Sequence, residues 1–208
     1  LILFERLAQG LDPGERHLLA DKFRDLPGKT AVSKVSHDLL DELSLTPEAL
    51  LDLINSAARL KMAVRGWVAE AHLETTLRAI RGVSDCYRIN GERMPDISLR
   101  WKESRPILIE CKNVLRGRYA DGSPKLDFQR TRASTADRCS RYYMPSDFHV
   151  VAACLHPVTE SWDFQFALTS ELPSHASCAG RLDSNVRVSS DCFTAQVESV
   201  LDRAISGS

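Results

Sequence analysis

The chain has 208 residues, of which 43% are hydrophobic and 26% charged, and a formal net charge of −1. These proportions are those of soluble globular proteins and exclude a disordered or fibrous class; the length suffices for one large domain, or for a core of about 150 residues with an accessory part. The near-neutral charge excludes a global attraction to nucleic acid but leaves room for a local basic patch.

No apolar run is long enough to cross a bilayer, and no membrane partner is expected. The chain opens on Leu1 rather than Met, so the true N-terminus is expected upstream, where a targeting segment could have been removed. Cysteines stand at 86, 111, 139, 154, 178 and 192 without a C-x-x-C pair. That spacing argues against a zinc ribbon or thioredoxin-like motif, and six reduced thiols in a cytoplasmic protein are the expectation.

Residues 1–62 read as a helical accessory region. Leu3, Leu7 and Leu11, and later Leu39, Leu40 and Leu43, recur at helical spacing, and Thr46-Pro47-Glu48 has an N-cap followed by Pro at the first helical position. Ten acidic against eight basic residues favour packing, dimerisation or partner docking here over a DNA-reading helix-turn-helix, which needs a positive footprint. A longer helix is expected over Arg65 to Arg81, with Gly82 as its stop. It carries Trp67, Leu73, Leu77 and Ile80 on one stripe and Glu70 near the middle.

Three strands follow, at Val83 to Ile89, Asp96 to Trp101 and Ile107 to Val114, with turn signals at Asn90-Gly91 and Ser104 to Pro106. In the second, Ile97, Leu99 and Trp101 alternate with Asp96, Ser98 and Arg100. The third opens on the continuous apolar run Ile107-Leu108-Ile109, the mark of a strand buried on both faces, and ends in Glu110-Cys111-Lys112. A flexible loop over Gly117 to Pro124, a helix from about Leu126 to Tyr143, strands at Phe148 to Leu155 and Trp162 to Leu168, a short edge strand near Val186 and a closing helix over Thr194 to Ile205 complete the pattern. The fold class is α/β, a mixed central sheet flanked by helices behind an N-terminal helical region.

Side chains alternate along a strand, so Glu110 and Lys112 project from one face, about 6–7 Å apart. Asp96, at the start of the neighbouring strand, can reach the same point. Two carboxylates at the polar end of buried strands are unfavourable without a counter-charge, and a hard divalent cation with oxygen ligands, Mg²⁺ first, would relieve them. Such an ion with a lysine beside it suits hydrolysis of a phosphodiester. From Lys112 to Arg141, eight basic residues stand against three acidic ones, a local charge of +5. The six histidines show no metal-binding spacing, and Ser140, Tyr142 and Tyr143 show no base to activate a nucleophile.

Pro95-Asp96 followed by Glu110-Cys111-Lys112, in the order helix with an acidic residue, hairpin strand, motif strand, resembles the PD-(D/E)xK motif of the restriction-endonuclease-like nuclease superfamily. The resemblance covers roughly residues 63–205, within a nuclease domain expected over 63–208. It implies a restriction-endonuclease-like core, with Asp96, Glu110 and the backbone carbonyl of Cys111 as metal ligands and Lys112 as the catalytic lysine. Gly66-Trp67-Val68-Ala69-Glu70 is similar to the family's leading helix, so Glu70 would complete the acidic cluster, with Glu74 as the fallback. Gln129 would match a Gln that some branches aim at the site. Arg116, Arg118, Lys125, Arg130 and Arg132, with Arg138 and Arg141, would meet phosphates.

The implied activity is a Mg²⁺-dependent endonuclease, with Mn²⁺ also accepted, that cuts double-stranded DNA as a restriction-type or defence enzyme. Paired cuts imply a homodimer. The alternatives are a non-catalytic nucleic-acid-binding or assembly module on the same fold, and the nuclease module of a repair or mobile-element complex.

Overall fold

The computed structural model describes residues 37–91, 94–130, 137–189 and 191–206. The chain divides into two compact units, 1–53 and 54–208. In the first, α1 spans Asp38–Leu43, and α2, Pro47–Ser56, runs across the boundary. The hydroxyl of Thr46 accepts the Ala49 N–H at 3.2 Å, which caps α2 as its sequence predicts. The periodicity of Leu3, Leu7 and Leu11 lies outside the described residues.

The second unit opens with α3, Ala58–Arg78, which begins well before the expected Arg65. It buries Ala69, Leu73 and Leu77, spaced at i, i+4 and i+8 along one face. Trp67 departs from the predicted stripe: it lies about 120° round the helix from Leu73, and its indole is 55% exposed. After α3 the chain reverses at Gly82, whose φ is +99°. A Cβ there would stand 3.1 Å from the Trp101 ring, so glycine meets both the backbone and the packing requirement.

The strands are β1, Val83–Arg88; β2, Ile97–Trp101; β3, Ile107–Arg118; β4, Pro124–Asp127; and β5, Val150–Cys154. After β5 come the short helix α4, His156–Thr159, then β6, Phe164–Leu168, β7, Asn185–Arg187, and α5, Val197–Ser206. Together they form a mixed seven-stranded sheet flanked by helices. The first half of β3 lies between antiparallel β2 and parallel β5, with β1 and β6 outside them. Its second half leaves β2 and pairs with β4, which in turn pairs with β7.

Alternation along these strands sorts the core into two layers. Ile97, Leu99, Ile107, Ile109, Cys111, Val150 and Ala152 face α3 and α5. Val114, Val151 and Ala153 face the opposite way, towards Phe128, Tyr143 and Phe148. Glu110 and Lys112 share the parity of Val114, so the second layer is the one that must accommodate their charges.

The segment after β3 corrects the sequence reading. The predicted loop at Gly117 to Pro124 and helix at Leu126 to Tyr143 are replaced, where described, by the end of β3, a tight turn, β4 and a 3₁₀ turn at Arg138–Arg141. The turn closes with the Gly122 N–H donating to the Tyr119 carbonyl at 2.9 Å. Leu126 and Phe128 are fully buried while Asp127 between them is exposed. That two-residue period is a strand's, and pairing with β3 and β7 overrides helix propensity.

The expectation of six reduced thiols is also corrected. Cys139 and Cys178, 39 residues apart, form a disulfide. It ties the 3₁₀ turn at Arg138–Arg141 to the stretch whose Leu182 N–H donates to the Tyr143 carbonyl at 2.8 Å. No sequence motif marks this pair, because only the tertiary fold brings the two thiols together.

Closing a loop of this length restricts the unfolded chain, so reduction should lower stability by about 2–4 kcal/mol. Urea unfolding with and without reductant measures it, and coincident curves would contradict the bond's contribution. His149 supplies a pH-dependent contribution. Its Nδ1 accepts the Leu108 N–H at 2.9 Å, and burial, aided by Arg105, holds its pKa below the ordinary 6.5. A depressed histidine favours folding above its unfolded pKa. The His149 contribution should therefore be intact above about pH 6.5 and fall as the pH drops from there through the lower folded value. In His149→Leu that slope should vanish in melts across pH 5–8.

Candidate active site

The β2–β3 ladder ends where Ile97 faces Ile109. Pro95, next but one, has no N–H to continue it. Asp96 takes over by side chain: its Oδ2 accepts the Cys111 N–H at 2.8 Å. N–H and C=O of one residue leave the same edge of a strand, so the Cys111 carbonyl opens towards Asp96 as well. A proline that stops the ladder thus places a carboxylate and a carbonyl beside each other.

Glu110 is only 4% exposed. Its Oε1 accepts two donors, the Lys112 ammonium at 2.5 Å and the Tyr143 hydroxyl at 2.5 Å. Among the described residues, the other oxygen of Glu110 and Oδ1 of Asp96 take no hydrogen bond. Burial and the neighbouring Glu110 push the Asp96 carboxyl up to about 7, against the opposing pull of Lys112. Burial works against the Lys112 charge, yet Glu110, then Tyr143 and Asp96, outweigh it and raise its pKa, so the ammonium stays protonated. The Tyr143 phenol is raised by burial first and remains a donor.

Glu70, on α3, is half-buried. Its pKa is raised by burial against the pull of Lys112 and Arg88, and it feels Glu110. Glu74, the fallback, is instead held by Arg78 at 2.7 Å and Arg88 at 3.3 Å. Among the described residues no three His, Cys, Asp or Glu side chains converge on one metal-sized point. The acidic centre is a pair, Asp96 and Glu110, with Glu70 near enough to be felt.

An oxygen pair of this kind fits a small hard cation. Mg²⁺ usually takes one or two protein carboxylates and keeps several waters, and the uphill Asp96 pKa records burial first and then repulsion from Glu110, both of which a bound positive charge would oppose. Among the described residues no group of His and Cys side chains offers a soft or imidazole-preferring metal a ligand set.

The basic residues are less uniform than their sequence run implies. Arg116 is exposed. Arg118 is spent on the carbonyls of Gly122 and Val158, and the Lys125 ammonium sits 5.7 Å over the Tyr119 ring. Arg130 is partly buried and paired with Asp147 at 2.6 Å, a departure from a free phosphate contact. Arg132 lies outside the described residues, while Arg138 and Arg141 are exposed. Gln129 lies on no helix: its backbone bridges antiparallel to Tyr142.

Tyr143 is the site residue that sequence reasoning missed. It stands 33 residues from Glu110 and belongs to no motif. Its one sequence signal is a hydroxyl within an aromatic cluster, since a buried phenol needs a partner.

No family model matches this chain, and no curated protein matches it. Among solved structures, one described as a bacterial homing endonuclease, I-Ssp6803I, is similar at 16% identity and a TM-score of 0.47, over 69% of this chain and 95% of that one.

Proposed function

We propose that this chain is a divalent-metal-dependent endonuclease that hydrolyses DNA phosphodiester bonds, built on the PD-(D/E)xK plan and working with Mg²⁺ or Mn²⁺. The observation that carries the reading is the meeting of Asp96 and Glu110 with a half-buried, protonated Lys112 on one sheet face. Asp96, Glu110 and the Cys111 carbonyl would hold the ion. When bound, it supplies Lewis acidity at the phosphoryl oxygen and a more acidic water.

The protein's own part is positioning and charge. Asp96 is oriented by the Cys111 N–H, and Glu110 by Lys112 and Tyr143. Lys112, charged across the working pH range, can donate to the attacking water or to the phosphoryl oxygen on which negative charge builds. Exposed Arg116, Arg138 and Arg141 would meet the backbone of the nucleic acid. A restriction-type or defence role with a homodimeric assembly, which provides two sites for two strands, belongs to the same proposal.

Cleavage of plasmid and short duplex DNA by the wild type, Asp96→Ala and Lys112→Ala, in Mg²⁺ and in EDTA, tests it. Cutting should need Mg²⁺, and each substitution should reduce its rate by about 10²–10³-fold. Lys112→Ala should still bind the duplex. DNA binding without cutting by any of the three, in Mg²⁺ or Mn²⁺, would make the chain a non-catalytic binding module.

A further inference from the structure

The Tyr143 ring is 8% exposed. It is held between Phe128 at 5.0 Å and Phe148 at 5.3 Å, centroid to centroid. Its carbonyl accepts the Leu182 N–H at 2.8 Å. With backbone and ring both fixed, the hydroxyl has one place to go, and it donates to Oε1 of Glu110. Lys112 donates to that same oxygen, and its ammonium lies 5.6 Å from the Tyr143 ring centroid. On the ring's other contacts, the Arg130 guanidinium stacks at 5.1 Å while Asp147 neutralises it. Tyr143 therefore touches both motif side chains of β3 from a rigid aromatic cluster.

We propose that Tyr143 is a positioning residue: with Lys112 it saturates Oε1 of Glu110, so that the carboxylate presents Oε2 alone to the divalent cation, as a one-oxygen ligand. This rests on the metal-dependent reading above. A carboxylate free to rotate can offer either oxygen or both, and Mg²⁺, with its strict octahedral shell at short distances, tolerates that poorly. Outer-shell partners that orient a ligand typically contribute 10–100-fold to metal affinity. Tyr143→Phe keeps the ring, its packing and both cation contacts, and removes only the donor.

Calorimetric titration of Mn²⁺ alone into the wild type, Tyr143→Phe, Tyr142→Phe and Asp96→Ala, without DNA, tests the assignment. Thermal melts of each variant verify that it is folded. Tyr143→Phe should bind Mn²⁺ about tenfold more weakly, Tyr142→Phe like the wild type, and Asp96→Ala not measurably. In cleavage assays the Mg²⁺ needed for half-maximal rate should rise by a similar factor, with duplex affinity in Ca²⁺ unchanged. If the wild type binds Mn²⁺ through Asp96 but Tyr143→Phe binds within about twofold of it, the positioning role is overturned and the metal site stands. If the wild type and Asp96→Ala bind Mn²⁺ equally weakly, the metal reading falls, and this one with it.

Discussion

The site depends on the placement of β3 as a strand with partners on both edges and apolar layers on both faces. Neighbours β2 and β5 consume its backbone hydrogen bonds along the first half. Side chains of Ile109 and Cys111 enter one layer, and those of Glu110 and Lys112 have no choice but the other. A charged pair so close to the centre of a sheet would be desolvated without compensation unless its members found each other. Here they do, at 2.5 Å, with a tyrosine hydroxyl on the same oxygen.

The second carboxylate reaches this point through a local failure of the sheet. Proline at 95 cannot donate to the ladder, so β2 begins only at Ile97 and Asp96 is freed to accept a backbone N–H with its side chain. The result is a close pair of carboxylates in which Asp96 is pushed towards neutrality by burial and by Glu110. The same geometry that makes the pair unfavourable alone makes it receptive to a cation, and displaced carboxyl pKa values of this kind gather at functional sites.

The wall of the site opposite β3 is assembled from distant stretches. Residues 138–143 bring Tyr143, and the Cys139–Cys178 disulfide with the Leu182 N–H on the Tyr143 carbonyl anchors that stretch to residues 178–182. Arg130 is drawn inward by Asp147 and the Tyr143 ring rather than left on the surface. A partly buried ion pair is favourable only with its partner in place, so this arginine acts as a brace of the wall.

Much of this architecture was legible in the residues alone. The period of two at Ile97, Leu99 and Trp101, the apolar run Ile107-Leu108-Ile109 and the spacing of Glu110 and Lys112 located β2, β3 and a shared polar face. Strand alternation is a local rule that sequence records directly. Local rules also marked Thr46 as a cap and Gly82 as the reversal before β1, although α3 itself ends at Arg78, three residues short of the expected Arg81. They failed for Leu126 to Tyr143, where pairing with β3 and β7 decides between helix and strand, and for Trp67, which a stripe of loose width had assigned to the core. The tyrosine on Glu110, the disulfide and the capture of Arg130 by Asp147 join positions 33, 39 and 17 residues apart. Contacts at such separations leave no periodic trace in the chain. The sequence by itself determined which side chains share a strand face, and only the tertiary structure decided which of them are desolvated, paired and aimed at one another.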